Sequence, residues 1–475
     1  MHFLARAGAT LALVILAGCT VGPDFHRPET PSSGYTLQAP PAGAPQGVFY
    51  GGEVADDWYQ LFHSEALNGL VRQALAGNPD LEGARHGLLA AQFELKAVSG
   101  SALPQLDGGA KASRGHINGS FLDEHASALT ATANTYNIGP TLSYDLDLFG
   151  GIRRGIEAQG AAAANSRDQA LNTYITLVNQ VVVTAFDYAA VQKQIEVTQS
   201  LVDEFQQQYE LTGKLEAAGK ITRADTLQAQ TQLETTRASL PALEQQRDTY
   251  RNALARLCGE APDAFSMPQL SLQDFTLPQQ LPLSLPSTLV RQRPDILAAE
   301  DSLHQASAQI GVAQADRLPS LTLSAQYSQQ TTKLNELFTQ PGGIWSVGAN
   351  LTAPLFDGGS RKARADEAKE RYLQARAAYR GAVIGAFVDV ANALQALRHD
   401  ADSYAAHNRA LDAARANREL SVAQYKAGKY NELQVLTAEQ QYQNAALSQV
   451  QADAQRFSDT AGLFHALGGG WWSAP

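Results

Sequence analysis

Short motifs recur in the same order in the two halves of this 475-residue chain, and that duplication limits the possible fold more than any other feature. Asn78-Pro79-Asp80-Leu81 returns as Arg293-Pro294-Asp295-Ile296, and Leu103-Pro104-Gln105-Leu106 as Leu318-Pro319-Ser320-Leu321. Leu148-Phe149-Gly150-Gly151 returns within Leu355-Phe356-Asp357-Gly358-Gly359, and Ala218-Gly219-Lys220 as Ala427-Gly428-Lys429. The ends match as well, with Ala255-Arg256-Leu257-Cys258-Gly259 set against His465-Ala466-Leu467-Gly468-Gly469. The repeats are expected over 58–260 and 287–470, with a proline-rich linker at 261–286 and a short tail at 471–475. Each reads as short helix, strand, loop, strand, long helix, turn and medium helix.

The long helices are predicted from about Ile152 to Leu215 and from Arg361 to Lys426. At 1.5 Å per residue the first would be roughly 95 Å long. In it Leu171, Tyr174, Val178, Val181, Ala185 and Tyr188 step by three and four. After one phase slip Val191, Ile195, Thr198, Val202, Phe205 and Tyr209 continue the seam, a spacing that favours coiled-coil packing. A helix of this length belongs in a helical assembly. The shorter helices of the first half, about 65–100 and 221–258, have a similar combined length and could stack end to end along it.

Four strands alternate apolar with polar residues. The clearest sets Tyr136, Ile138, Pro140, Leu142, Tyr144, Leu146 and Leu148 against Asn137, Gly139, Thr141, Ser143, Asp145 and Asp147. Trp345, Val347, Ala349, Leu351, Ala353 and Leu355 repeat the pattern, as do Leu321, Leu323, Ala325 and Tyr327; Leu103 to Arg114 is weaker and glycine-rich. A membrane barrel and a soluble sheet covering a core share such alternation. The long helices and the first residues of the chain favour the barrel. A strand in a bilayer cannot leave an edge unpaired, and about eight strands are the practical minimum for closure. Four per chain therefore require a barrel shared between chains, twelve strands for a trimer or eight for a dimer.

Residues 1–18 read as a signal peptide. Arg6 supplies the positive start, Leu11 to Ala17 the apolar stretch, and Leu16-Ala17-Gly18-Cys19 ends it as a lipobox. Processing would make Cys19 the first mature residue, carrying a diacylglycerol thioether and an N-acyl chain. Each buried acyl CH₂ contributes about 0.8 kcal/mol, so three chains anchor firmly. Thr20 follows, where an Asp would resemble an inner-membrane retention signal. Residues 19–57 read as the lipidated tether, extended and rich in Pro, Gly and Ser between Pro23 and Gln46. A net charge of −11 without a basic cluster argues against a nucleic-acid partner.

The duplicated helix–strand–strand–helix plan, the Cys19-Thr20-Val21-Gly22-Pro23 start and the Ala-Gly-Lys turns resemble the outer membrane factors related to TolC and OprM, and within them the NodT-type efflux lipoproteins. The resemblance implies an α+β fold: a homotrimer with a twelve-stranded transmembrane β-barrel and a long α-helical barrel in the periplasm. It implies docking onto a periplasmic membrane-fusion adaptor and an inner-membrane transporter, often of the proton-driven resistance–nodulation–division class. It also implies a periplasmic gate where the second long helix turns into the last helix. There a Leu and an Asp four residues later often ring the lumen. Leu433 matches the Leu, but Thr437 stands at the Asp position, so closure is expected to depend little on pH or divalent cations. Arg223 and Asp225 follow the equivalent first-half turn as candidate closure contacts, although Asp225 also reads as an early-helix carboxylate complementing the dipole.

No catalytic constellation is present: no phosphate loop, no His-Glu-x-x-His, no serine elbow. The chain is expected not to be an enzyme and to carry no cofactor beyond the lipid on Cys19. Asp123-Glu124-His125 could suggest a metal site, but reads better as part of a solvated strand-to-strand loop, Gly115 to Ala133. Cys258 reads as a small buried residue near a helix end. The expected function is the passive exit duct of a tripartite efflux pump. A duct for type I protein secretion and a periplasmic coiled-coil scaffold without a pore are the alternatives; a scaffold would have no need of lipid-facing strands. Cells fed a palmitate analogue are expected to label the wild-type protein and not Cys19→Ala; label persisting on the mutant would place the anchor elsewhere.

Overall fold

The computed structural model describes residues 20–29, 46–52, 54–118, 130–339 and 342–471. Cys19 and Asp123-Glu124-His125 lie outside the described residues. In chain order the helices are α1 (Glu65–Gly77), α2 (Pro79–Gly100), α3 (Gly151–Ala217), α4 (Arg223–Leu257), α5 (Pro286–Gln292), α6 (Pro294–Ala315), α7 (Ser360–Lys426) and α8 (Glu432–Ala466). The strands are β1 (Gly47–Tyr50), β2 (Gln105–Asn118), β3 (Thr130–Leu146), β4 (Gln280–Leu283), β5 (Ser320–Thr331) and β6 (Gly343–Thr352). The halves repeat in length as well as order: α2 and α6 have 22 residues, α3 and α7 have 67, α4 and α8 have 35. β2 and β3 are longer than the alternation indicated, reaching Asn118 and starting at Thr130.

The chain divides into two compact units. The first holds Met1–Pro28, Leu88–Ser166 and Ala299–Tyr379; the second holds Glu29–Gly87, Arg167–Ala298 and Arg380–Pro475.

The first unit contains one antiparallel sheet in the order β2-β3-β5-β6. Its register aligns Leu106, Leu142, Ala325 and Val347 in one row across the four strands. Directly opposed residues of an antiparallel pair share a face, and the side-chain period is two. The alternations read separately in each strand therefore merge into one apolar face, including Tyr144, Leu146, Leu321, Leu323, Tyr327, Trp345 and Leu351. The other face carries Asp107, Lys111, Asn137, Thr141, Ser143, Asp145, Thr322, Gln326 and Asn350. β2 and β6 are the two edges of this sheet, and all ten residues of β6 are exposed.

The second unit is built around an aromatic cluster. Phe186 of α3 lies 4.8 Å from Phe62, 4.9 Å from Phe275 and 5.3 Å from Phe457 between ring centroids, and Trp58 stacks on Phe464 at 5.1 Å. The predicted seam residues Val178, Val181, Ala185, Val191, Thr198, Val202 and Phe205 are buried, and so are Leu177, Val182, Phe186 and Ala189 on neighbouring faces. Here α3 is packed on more than one side. The segment between the halves contributes to the same core: Phe265, Leu270, Leu272, Phe275, Leu281 and Leu283 are buried in it, and β4 pairs in parallel with β1. Its prolines thus interrupt helix without keeping the chain out of the interior.

The recurring motifs have local causes. Each Ala-Gly-Lys turn ends a long helix. Gly219 (φ +69°) and Gly428 (φ +71°) take left-handed backbone, while the amides of Lys220 and Lys429 donate back to the carbonyls of Leu215 and Gln424, both at 2.9 Å. The Asn-Pro and Arg-Pro motifs join helices end to end. A residue before proline is held extended, and Asn78 (φ −70°, ψ 121°) and Arg293 (φ −74°, ψ 122°) are nearly superimposable. Asn78 Nδ2 donates to the Leu257 carbonyl at the end of α4 (2.9 Å), and its Oδ1 accepts from the Leu81 amide (2.9 Å). Arg293 donates to the Ala466 carbonyl at the end of α8 (2.9 Å) and pairs with Asp295 and Asp389 at 2.7 and 3.0 Å. The matching carbonyls show that the halves end one residue out of step with the sequence comparison, Gly259 corresponding to Gly468. Cys258 is buried at this junction and donates weakly to the Leu70 carbonyl at 3.8 Å; burial, reinforced by Glu260, pushes its thiol up to about 11. Asn78→Ala removes a cap and leaves a buried carbonyl without its donor, and is expected to cost about 1–3 kcal/mol in denaturant unfolding. A wild-type midpoint in that variant would show that the junction is held by other contacts.

Candidate functional site: hairpin ends and strand face

In the second unit, α3 turns into α4 and α7 into α8 through short connections that carry the sequence-predicted gate residues. Both second helices start with the same device. Thr222 accepts from the Asp225 amide while Asp225 Oδ2 accepts from the Thr222 amide (2.8 Å), and Asn431 and Gln434 do the same at 3.0 and 3.1 Å. The Asp225 carboxylate is thus committed to the start of its own helix. Arg223 reaches across its turn to Glu216 at 3.3 Å.

Leu433 and Thr437 are exposed on one face of α8, with the Thr437 hydroxyl donating to the Leu433 carbonyl at 2.8 Å. They line an open groove of about 360 Å³ together with Leu436 and Gln440 of α8 and Leu227, Gln228, Thr231 and Gln232 of α4. The structure therefore brings Leu433 and Thr437 to Leu227, while Arg223 and Asp225 lie outside that groove. Leu227 was not picked out from the sequence. The duplication does not point to it, since the offset relating Gly219 to Gly428 relates Leu433 to Ala224 and Leu227 to Leu436.

Behind this face lies a cluster that spacing along one helix does not reveal. Glu432 and Glu439 of α8 are 3% and 4% exposed. Gln208 of α3 donates to Glu432 at 2.8 Å, and the first-turn position of Glu432 sets its charge against the helix dipole. Arg418 of α7 pairs with Glu204 of α3 and lies 4.9 Å from the ring centre of Tyr442. Arg418 is thus shared between its partner Glu204 and the charge of Glu439. Burial pushes Glu439 up to about 7 despite Arg418, with Glu432 and Glu204 adding to the rise. Burial likewise raises Tyr425, helped by Glu432 and Asp225.

In the first unit the start of the described chain is fastened beside the end of β3. The Val21 amide donates to the Phe149 carbonyl at 3.0 Å, and a Cβ on Gly150 would fall 2.5 Å from Thr20. Asp24 pairs with the buried Arg154 at 2.6 Å, Phe25 stacks on His304 at 4.3 Å, and Arg27 pairs with Glu300. This part of the expected tether is therefore a strap packed on α3 and α6. Among the described residues no group of three or more His, Cys, Asp or Glu side chains is placed to hold a metal ion.

A sheet apolar on one face and polar on the other, with paired helical hairpins elsewhere in the chain, is the pattern of a channel-forming protein of the outer membrane. The profile of the family described as "Outer membrane efflux protein" matches residues 70–260 and 285–469, once in each half. The chain belongs to that family, whose members are channel proteins. It has the outer membrane factor fold and is an efflux channel of the outer membrane that extends into the periplasm. It is 28% identical over 462 residues to the cation efflux system protein CusC of Escherichia coli, covering 96% of this chain and 97% of CusC. It is 27% identical over 461 residues to the toluene efflux pump outer membrane protein TtgC of Pseudomonas putida, covering 96% and 94%. The crystal structure of the open state of the Neisseria gonorrhoeae MtrE outer membrane channel superimposes with a TM-score of 0.83 at 28% identity, covering 95% of this chain and 98% of that one.

The buried Glu439 gives the stability of this helical region a pH dependence of its own. Its folded pKa lies above the ordinary glutamate value, so the folded state holds a proton that the unfolded state gives up. The stability linked to that proton is fully present below about pH 4.5 and is lost as pH rises to about 7, amounting to on the order of 3 kcal/mol. Glu439→Gln is expected to flatten that decline in thermal melts between pH 4.5 and 8; an unchanged pH slope would place the titrating group elsewhere.

Proposed function

We propose that three copies of this channel close one twelve-stranded barrel and form the exit duct of a tripartite efflux pump. The observation that carries the reading is the sheet with a single apolar face and two open edges. β2 of one copy pairing with β6 of the next satisfies both edges, as hydrocarbon requires. The apolar rows run from Leu146 to Tyr136 along β3. Ten residue-to-residue steps of about 3.3 Å, tilted by about 40°, give about 25 Å, the height of the apolar band of outer-membrane barrels.

Residues 1–18 are removed in this reading and Cys19 carries the lipid. Support comes from Thr20 lying against Gly150, just beyond the apolar end of β3, where inner-leaflet acyl chains would reach. In the periplasm the duct meets a membrane-fusion adaptor and, through it, an inner-membrane transporter of the resistance–nodulation–division type. Relatives of similar identity carry names as different as cation and toluene efflux, which supports a duct whose cargo is chosen by the transporter.

The gate is the ring of three Leu433 side chains, backed by Thr437 and, across the groove, Leu227. An apolar ring of this kind excludes ions by dewetting. Arg223 and Asp225 take the lesser part, since the Asp225 carboxylate already serves its own helix start. The detergent-solubilised protein is expected to have the mass of three chains, and Leu433→Ser to raise single-channel conductance in planar bilayers while Thr437→Val leaves it unchanged. A stable monomer with native strand content would rule out the shared barrel. Wild-type conductance in trimeric Leu433→Ser would move the gate to another part of the hairpin ends.

A further inference from the structure

The outward face of the sheet is uncharged except at one place. By register it consists of Leu106, Gly108, Ala110, Ala112, Arg114 and His116 on β2, aligned with the even-numbered residues of β3 and the odd-numbered residues of β5 and β6. The strand acids Asp107 and Asp145 lie on the opposite face, as does Lys111, three residues before Arg114. Among the described strand residues of the outward face, Arg114 is the single formal charge. It is exposed and has no carboxylate partner among the described residues, and Asn134 is its cross-strand neighbour. The next cation toward the same rim, Lys333, is already paired with Glu336 at 3.1 Å.

The height of Arg114 is as informative as its face. Ala112 pairs with Tyr136 in the last aromatic-bearing row, and Arg114 stands one row beyond it, toward the β2–β3 hairpin and away from the helices. An arginine facing lipid costs about 2–4 kcal/mol at the bilayer midplane but about 0–1 at the interface. One row above the apolar band it sits among headgroups, on the side of the membrane away from the periplasm. His116 follows one row higher, its Nδ1 2.9 Å from Thr132 Oγ1, leaving Nε2 as a second polar group. A guanidinium offers a planar fork that matches two phosphate oxygens.

We propose that Arg114, with His116 above it, forms an outward-facing site for the phosphate of an outer-leaflet glycolipid, one site per chain around the barrel. The proposal rests on the barrel reading given above, because only that reading turns the apolar face toward lipid. The bound group is anionic and lipid-attached: the apolar rows beneath Arg114 take the acyl chains and Arg114 takes the phosphate. The phosphate clamps a lipid beside the β2 edge, the strand that meets the neighbouring copy.

The test uses the full-length trimer in detergent, titrated with bisphosphorylated lipid A or with the same lipid A after dephosphorylation, and native mass spectrometry to count retained lipid. The wild type is expected to retain the phosphorylated form preferentially, and Arg114→Gln to lose that preference by about tenfold in apparent affinity. Arg114→Lys keeps part of it, since the charge remains and the fork is lost. Lys111→Gln, on the same strand but the opposite face, leaves it unchanged. Equal retention of the two lipids by the wild type, as would follow if Arg114 were neutralised by an acid of its own chain, overturns the proposal, and so does undiminished preference in Arg114→Gln. Failure of the barrel reading is distinguished beforehand, because the wild type would then lack the mass of three chains before any lipid is added.

Discussion

The main-chain amides and carbonyls along the outer edges of β2 and β6 are the constraint on which the rest depends. Water can satisfy such groups in a soluble sheet, but hydrocarbon cannot, and the cost is several kcal/mol for each. A four-stranded sheet with one apolar face is therefore half of a solution: its face asks for lipid and its edges ask for more strands. The helices of the two repeats match in length, and each strand pair is followed by a 67-residue helix.

Duplication gave the chain two copies of each joint, and the copies have diverged where charge was tolerable. At the helix junctions a neutral amide, Asn78, does in the first half what a guanidinium does in the second. Arg293 reaches the same kind of terminal carbonyl but brings a charge, and Asp295 and Asp389 are there to neutralise it. The helix starts show the same drift in reverse, with Asp225 in one capping box and the uncharged Gln434 in the other. Backbone geometry is kept in both cases while the side-chain chemistry changes. What survives duplication is the hydrogen-bond requirement of the helix end.

Much of this was legible in the sequence, because it depends on periodicity and on punctuation. Alternation over Tyr136 to Leu146 and the threes and fours over Leu171 to Tyr209 are local signals, and the αL glycines mark the ends of the long helices. The single apolar face was also implicit, although only register shows that four separate alternations add up. Contacts between distant segments were not legible. Composition made 261–286 look like a spacer, yet Phe265, Phe275 and Leu281 fill the core, because proline forbids helix without forbidding burial. The Glu432–Glu439–Arg418–Glu204 cluster joins three helices, and no spacing along one of them announces it. Leu433 and Thr437 were found from a resemblance, while their partner Leu227 needed the groove to be seen.

The strap from Thr20 to Pro28 changes what a lipid on the preceding residue would accomplish. A flexible leash lets a protein wander over a hemisphere whose radius grows with the square root of its length. Here the first described residues are already fixed by Phe149, Arg154, His304 and Glu300, so a mooring at residue 19 would have almost no slack. Such a chain would be held at one height and one tilt, free only to slide and spin in the membrane plane. Encounters among copies would then take place in two dimensions among molecules already upright, which raises their effective concentration before any strand has paired across an edge.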